Sequence, residues 1–286
     1  MQGQTEAGST TGAPARSIRF RPPRHAGGTP VNASHLFDLT GQRALVTGSG
    51  QGIGLSLARG LTQAGAAVIL NDIDRDRLER AAETLRGEGA TVYTLPFDVT
   101  DADAVRVAVD GFEAETGPID ILVNNAGMQF RTPLEDFPVE RFDFMMRLNL
   151  NGVFYCGQAV ARHMIPRKAG KIVNICSVQT ALARPSIAPY TASKGGVANL
   201  TKGMATDWAK HGLQVNGLAP GYFKTELTSA LVADEAFTAW LSARTPAGRW
   251  GNVEELVGAC IFLAAPASSF VNGHILYVDG GITCSV

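Results

Sequence analysis

Tyr190 and Lys194 stand four residues apart in the stretch PYTASKGG, and Ser177 precedes Tyr190 by 13 residues. Four residues is about one helical turn, so a helix here puts the phenol and the ammonium on one face. A phenol titrates near pH 10 when free, too high for a base at neutrality. A neighbouring cation favours the phenolate, and each unit of lowering requires about 1.4 kcal/mol of differential interaction. Such a tyrosine would take a proton from an alcohol, with the Ser177 hydroxyl orienting the substrate oxygen. Asn149, in LNLNGVF, adds an amide suited to repairing a helix kink. The same pair on a solvated helix surface would do nothing, so the elements around it decide.

Those elements alternate. RALVTG reads as a short buried strand over 43–47, followed by a glycine-rich turn and a helix over about 53–64. AAVILND, TVYTLPFD, IDILVNNAG, KIVNICS, LQVNGLAP and HILYVDGG read as further strands. Helices are expected over DRDRLERAAETLRGEG, DADAVRVAVDGFEAETG, 139–165, from near Pro189, and over about 252–264. Most strands are continuous apolar runs, which means a sheet covered on both faces. The expectation is one α/β domain over 36–286, a doubly wound parallel sheet of the Rossmann type with helices on both faces. Residues 222–250 carry Trp240 and Trp250 but few strand signals, and read as a small helical lid.

A strand followed by TGSGQGIG and a helix suits a dinucleotide. Gly48, Gly52 and Gly54 permit a tight turn, close approach of a pyrophosphate and close helix packing, with Gln51 and Ile53 between them. Asp72, before Ile73 at the end of the second strand, would accept both adenosine ribose hydroxyls and repel a 2′-phosphate. NAD is therefore preferred over NADP, with Arg75 and Arg77 keeping NADP possible. Asp98, before Val99, either bonds the adenine amine or caps the next helix. Asn125, Ala126 and Gly127 of NNAG close the fourth strand, where Asn124 and Asn125 have a structural role open to them as ties between strand ends.

TGSGQGIG, NNAG, Ser177, YTASK and APG together resemble the short-chain dehydrogenases/reductases in order and spacing over 36–286. The resemblance implies NAD(P)-dependent hydride transfer on an alcohol or ketone. It implies that Asn149, Ser177, Tyr190 and Lys194 are catalytic, that Asn149 places a water that relays the proton past Lys194 to solvent, and that Lys194 also holds the nicotinamide ribose. Pro220, Gly221, Phe223 and Thr225 would cover the nicotinamide, and a homo-tetramer or homo-dimer would be built partly on two long helices. RHMIPRKAGKIVNICSVQTALAR and GYFKTELTSALVADEAFTAWLSARTPAGRWG further resemble the branch that interconverts D-gluconate and 5-keto-D-gluconate. A sugar-acid substrate would need cations in the pocket, and Arg131 and Arg184 are the candidates, beside Ser177 and Tyr190. The alternatives are another polyol dehydrogenase, a 3-oxoacyl-thioester reductase, or a non-catalytic nucleotide sensor, which would have no need of both Tyr190 and Lys194.

Composition narrows the classes. A net charge of −1 gives no electrostatic case for nucleic acid or an acidic membrane. No apolar run reaches the roughly 18 residues that span a bilayer. Cys156, Cys176, Cys260 and Cys284 lie far apart with no metal spacing, so free thiols in a reducing cytoplasm and no metal are expected. Residues 1–35 hold one acid, Glu6, and few apolar residues; they read as a disordered extension rather than an organelle transit peptide, since no amphipathic helix pattern is present.

Overall fold

The computed structural model describes Met1 and residues 33–286. The extension expected over 1–35 lies outside the described residues, apart from Met1 and the residues of a 3-10 turn, Ala33–Leu36. Ala33–Val286 make one compact unit. Its centre is a seven-stranded, fully parallel sheet: β1 (Arg43–Val46), β2 (Ala67–Leu70), β3 (Val92–Thr94), β4 (Ile121–Asn124), β5 (Gly170–Ile175), β6 (Leu213–Pro220) and β9 (Ile275–Val278). The spatial order is β3-β2-β1-β4-β5-β6-β9, so the chain reverses its direction of travel between β1 and β4.

Strand side chains alternate between faces, and both faces are packed. Ala44, Val46, Val68, Leu70, Ile121 and Val123 join one core with helices α1 (Gly52–Gln63), α2 (Arg75–Gly87) and α9 (Val257–Ala264). Leu45, Ile69 and Leu122 join the other with α3 (Ala102–Glu115) and α5 (Gly152–Arg167). This is why the strands read as unbroken apolar runs. Asp74 caps α2 by accepting from the Arg77 N–H, and Asp101 caps α3 by accepting from the Asp103 and Ala104 N–H groups.

The single helix expected over 139–165 is divided. α4 (Val139–Met146) passes through a π-helical turn, Arg147–Asn151, into α5. α6 (Ala188–Trp208) carries Tyr190 and Lys194. Small residues in its first turns let it dock. Ser193 is fully buried, and a Cβ on Gly196 would sit 3.1 Å from a Leu150 methyl.

The segment over 222–250 contains two short helices, α7 (Ser229–Val232) and α8 (Glu235–Arg244). A two-residue parallel pair, β7 (Phe223–Lys224) with β8 (Gly251–Asn252), clasps its base. Tyr222, Phe237, Trp240 and Trp250 form a connected set of edge and tilted ring contacts, and Val178 and Leu241 pack in the same satellite core. Among the described residues no helix is long and apolar enough to cross a membrane. Three of the four cysteines are buried and Cys284 is exposed; all four are free thiols.

Candidate active site

The carboxyl ends of the strands open into one cleft of about 470 Å³, a size typical of small-molecule sites, at the point where strand order reverses. At its dinucleotide end, α1 begins at Gly52 without a side-chain cap and without an acid in its first turn, leaving its N–H groups to a phosphate. The turn admits no larger residue at two places. Gly48 has φ +62°, and a Cβ there would lie 2.8 Å from the Ala126 Cα. A Cβ on Gly54 would strike the Gly48 carbonyl and lie 2.5 Å from Asn125 Nδ2. Gln51 and Ile53 also face the cleft. These features fit a dinucleotide pyrophosphate.

Asp72 is 5% exposed and both of its oxygens are engaged. Oδ2 accepts from the Gly50 N–H at 3.2 Å, and Oδ1 from the Asp74 N–H at 3.0 Å. The Arg77 fork grips both, NH2 to Oδ1 at 2.6 Å and Nε to Oδ2 at 3.2 Å. Ile73, Asp98 and Val99 line the same end. Asp98 accepts from the Thr100 N–H, and the cap of the next helix is Asp101 rather than Asp98. Asn125, Ala126 and Gly127 line the middle of the cleft. The Asn125 amide is spent on the carbonyls of Thr47 and Gly48, and Thr47 Oγ1 accepts from the Asn125 and Ala126 N–H groups, so NNAG is tied to the glycine turn.

Ser177, Tyr190 and Lys194 line the chemical end. Lys194 Nζ donates to the Ile175 carbonyl at 2.7 Å and lies 5.8 Å from the centre of the Tyr190 ring. The protein alone does not make the phenol acidic. Burial pushes Tyr190 up to about 12, and the neighbouring Ser177 hydroxyl opposes that shift. The ammonium, engaged with a carbonyl, sits over the ring face rather than on the hydroxyl. Burial likewise pushes Lys194 down to about 8 from 10.5.

That depression has a stability consequence. Between about pH 8 and 10.5 the unfolded chain binds more protons at this lysine, so its contribution to stability rises with pH; below pH 8 the folded state carries the whole cost. Lys194→Met is expected to remove that rise and, after loss of the Ile175 hydrogen bond, to stabilise the fold at pH 7 by on the order of 2 kcal/mol. Urea unfolding of both proteins at neutral and alkaline pH checks this. A variant less stable than the wild type at pH 7 contradicts it.

Asn149 does not reach the cleft wall. It lies fully buried in the π turn, where Oδ1 accepts from the Met128 N–H and Nδ2 donates to the Met128 carbonyl, both at 2.9 Å. Nδ2 also donates to Ser193 Oγ at 3.2 Å. It therefore ties the loop after β4 to α6.

Arg131 and Arg184 line the far end, and among the described residues neither makes an ion pair. Burial and the Arg184 charge both lower Arg131 from its ordinary value. The Arg184 guanidinium stacks 5.0 Å from the centre of the Phe237 ring, with its Nε buried and unpartnered. The two loops are joined where the Thr132 N–H donates to the Ser186 carbonyl. Pro220, Gly221, Phe223 and Thr225 complete the wall, with Thr225 and Thr228 bonded reciprocally.

The family profile described as Enoyl-(Acyl carrier protein) reductase matches residues 48–283. The chain belongs to the short-chain dehydrogenase/reductase family. Among its relatives in that family is the gluconate 5-dehydrogenase of Gluconobacter oxydans (strain 621H), 64% identical over 251 residues, covering 88% of this chain and 98% of the relative. The 5-keto-D-gluconate 5-reductase of Escherichia coli (strain K12) is 54% identical over 251 residues, covering 88% and 99%. The crystal structure of a gluconate 5-dehydrogenase from Burkholderia cenocepacia J2315 in complex with NADP and tartrate superposes with TM-score 0.87 at 59% identity, covering 89% of this chain and 100% of that one.

This short-chain dehydrogenase/reductase also places side chains in its cleft that residue types and spacing did not single out. Tyr222, Gln179, Glu226 and Leu231 are among them. Gln179, a polar residue two positions past a strand-end serine, was the one with a local signal. Behind the cleft, Asn124 donates to Asn174 Oδ1 and Asn174 to Thr201 Oγ1, both at 2.9 Å, a buried polar chain that holds β4, β5 and α6 together.

Proposed function

We propose that the chain interconverts D-gluconate and 5-keto-D-gluconate with a nicotinamide dinucleotide. The observation that carries this reading is a pair of arginines without acidic partners, Arg131 and Arg184, in the same cleft as Ser177, Tyr190 and Lys194. Half-buried like charges without counter-ions are costly, and a substrate carboxylate relieves that cost. The names of the relatives that are 54–64% identical support the same substrate.

The glycine turn, Asp98, Val99 and the NNAG loop would hold the dinucleotide, with Pro220, Gly221, Phe223 and Thr225 over its nicotinamide end. Bound and oxidised, that group supplies the hydride acceptor and a positive charge. Tyr190 takes the alcohol proton at Oη in oxidation and returns it in reduction. Ser177 orients the substrate oxygen beside the Tyr190 hydroxyl. Lys194 supplies positive charge beneath the ring, and Asn149 acts by fixing Met128 and Ser193 around it. The segment over 222–250 excludes water as a lid, its aromatic cluster stacking on Arg184 through Phe237. Exposed Phe142, Phe144 and Phe154 on α4 and α5 support a homo-oligomer, a tetramer or a dimer, built on that face.

The preference for NAD rests on a free carboxylate at Asp72, and here Arg77 covers it. Both dinucleotides are accepted on this reading: Asp72 takes ribose hydroxyls once Arg77 withdraws, and Arg77 takes a 2′-phosphate. Arg77→Ala is expected to raise KM for NADP roughly 10- to 100-fold and to leave KM for NAD within a few-fold. Steady-state rates with each dinucleotide check it, and an unchanged NADP-to-NAD ratio removes Arg77 from the account.

Sorbitol, mannitol and a 3-oxoacyl thioester, assayed beside gluconate, test the substrate class. Turnover of a neutral polyol or the thioester in preference to the sugar acid would replace this reading with one of its alternatives.

A further inference from the structure

Gln179 is 6% exposed on the cleft wall. Its backbone N–H donates to Ser177 Oγ at 3.2 Å, and its Nε2 makes a long contact, 3.5 Å, to the Tyr222 hydroxyl. Its Oε1 is buried without a partner. A buried amide atom left unmatched is costly, and such atoms in a cleft point to a ligand group. Turning the amide over exchanges the roles: the oxygen then accepts from Tyr222 and the nitrogen is left unmatched. A group that satisfies the unmatched atom in either setting must both donate and accept, which describes a hydroxyl. A carboxylate oxygen only accepts, and a methylene does neither.

The neighbours fix which hydroxyl. Gln179 touches Ser177, at the reacting end, through its backbone and Tyr222 through its side chain. Tyr222 in turn lies within the fields of both Arg184 and Arg131, which oppose the upward push of burial on its hydroxyl. Ser177, Gln179, Tyr222, Arg131 and Arg184 line one cleft, so on the sugar-acid reading the amide serves the stretch of substrate between the reacting carbon and the carboxylate.

We propose that Gln179 binds a substrate hydroxyl on the carbon chain between the oxidised carbon and the carboxylate, selecting polyhydroxylated acids over their deoxy analogues. Tyr222 holds the amide in place as a positioning residue. The proposal rests on the sugar-acid reading above and adds a discriminating residue to it.

The test compares kcat/KM for D-gluconate and for its 2-, 3- and 4-deoxy analogues, in the wild type and in Gln179→Met. Methionine keeps an unbranched side chain of similar length and removes both hydrogen-bonding atoms. In the wild type, one analogue should be poorer than gluconate by about 10- to 100-fold, as for a site built to bond a hydroxyl. In Gln179→Met, gluconate should fall toward that analogue until the two agree within about threefold, while the ratios to the other two analogues persist. Dinucleotide binding followed by thermal shift confirms that the variant folds; if it does not, the wild-type series and Gln179→Leu decide. Gluconate turnover with a flat deoxy series, or discrimination unchanged in the variant, overturns the role of Gln179 alone. Turnover of none of these acids by the wild type, with turnover of another alcohol, overturns the sugar-acid reading and this proposal with it.

Discussion

Tyr190→Phe is expected to lower kcat for gluconate oxidation by roughly 10²- to 10⁴-fold, the range a positioned acid–base group contributes. The substitution removes one oxygen and keeps the ring, so Lys194 and the packing of α6 stay in place and dinucleotide affinity should hold within about threefold. The protein alone holds Tyr190 near 12 by burial, so the phenolate is scarce at neutrality and oxidation by the wild type should accelerate as pH rises. Reduction needs the protonated phenol, which persists until pH nears 12, and should stay flat over the same range. In Tyr190→Phe the alkaline rise should vanish along with the rate. A variant that keeps wild-type kcat would assign the proton to another group.

Removal of the arginine pair gives the second large effect. Arg131→Ala and Arg184→Ala are each expected to raise KM for gluconate about 10- to 100-fold with kcat nearly intact, since a charge-assisted bond to a remote carboxylate holds ground and transition states alike. The double variant should lose less than the product of the two, because once one arginine is gone the carboxylate is no longer gripped from both sides and the other contributes less. Relief of like-charge repulsion should also leave both single variants folded, although Arg184→Ala loses its stacking on Phe237. Sorbitol, which lacks the carboxylate, serves as the control: its kinetics should not respond. An unchanged KM for gluconate in Arg131→Ala would remove that residue from the pocket.

Much of the fold is visible in residue order because its rules are local. Continuous apolar strands, glycine-closed helices and the alternation of the two specify a covered parallel sheet, and the strand-end positions of Asp72, Asn125 and Ser177 follow. What stayed hidden depends on distant partners. The TVYTLPFD stretch pairs over only three residues, Val92–Thr94, because β2 ends beside Thr94. The helix over 139–165 gains its π turn where Asn149 bonds the Met128 backbone, a contact across 21 positions. Spacing placed a cation one turn from Tyr190, yet that cation donates its hydrogen bond to the Ile175 carbonyl, and burial then governs both groups. The Asp72 carboxylate was legible, and its capture by Arg77, five residues later on α2, was not.

The most direct test of the central claim is gluconate-dependent reduction of NAD and of NADP, measured side by side by nicotinamide absorbance for the wild type and Tyr190→Phe. Reduction is expected in the wild type, with near-complete loss in the variant, for both dinucleotides. Dinucleotide binding without reduction on gluconate, or reduction that survives loss of the Tyr190 hydroxyl, would contradict it.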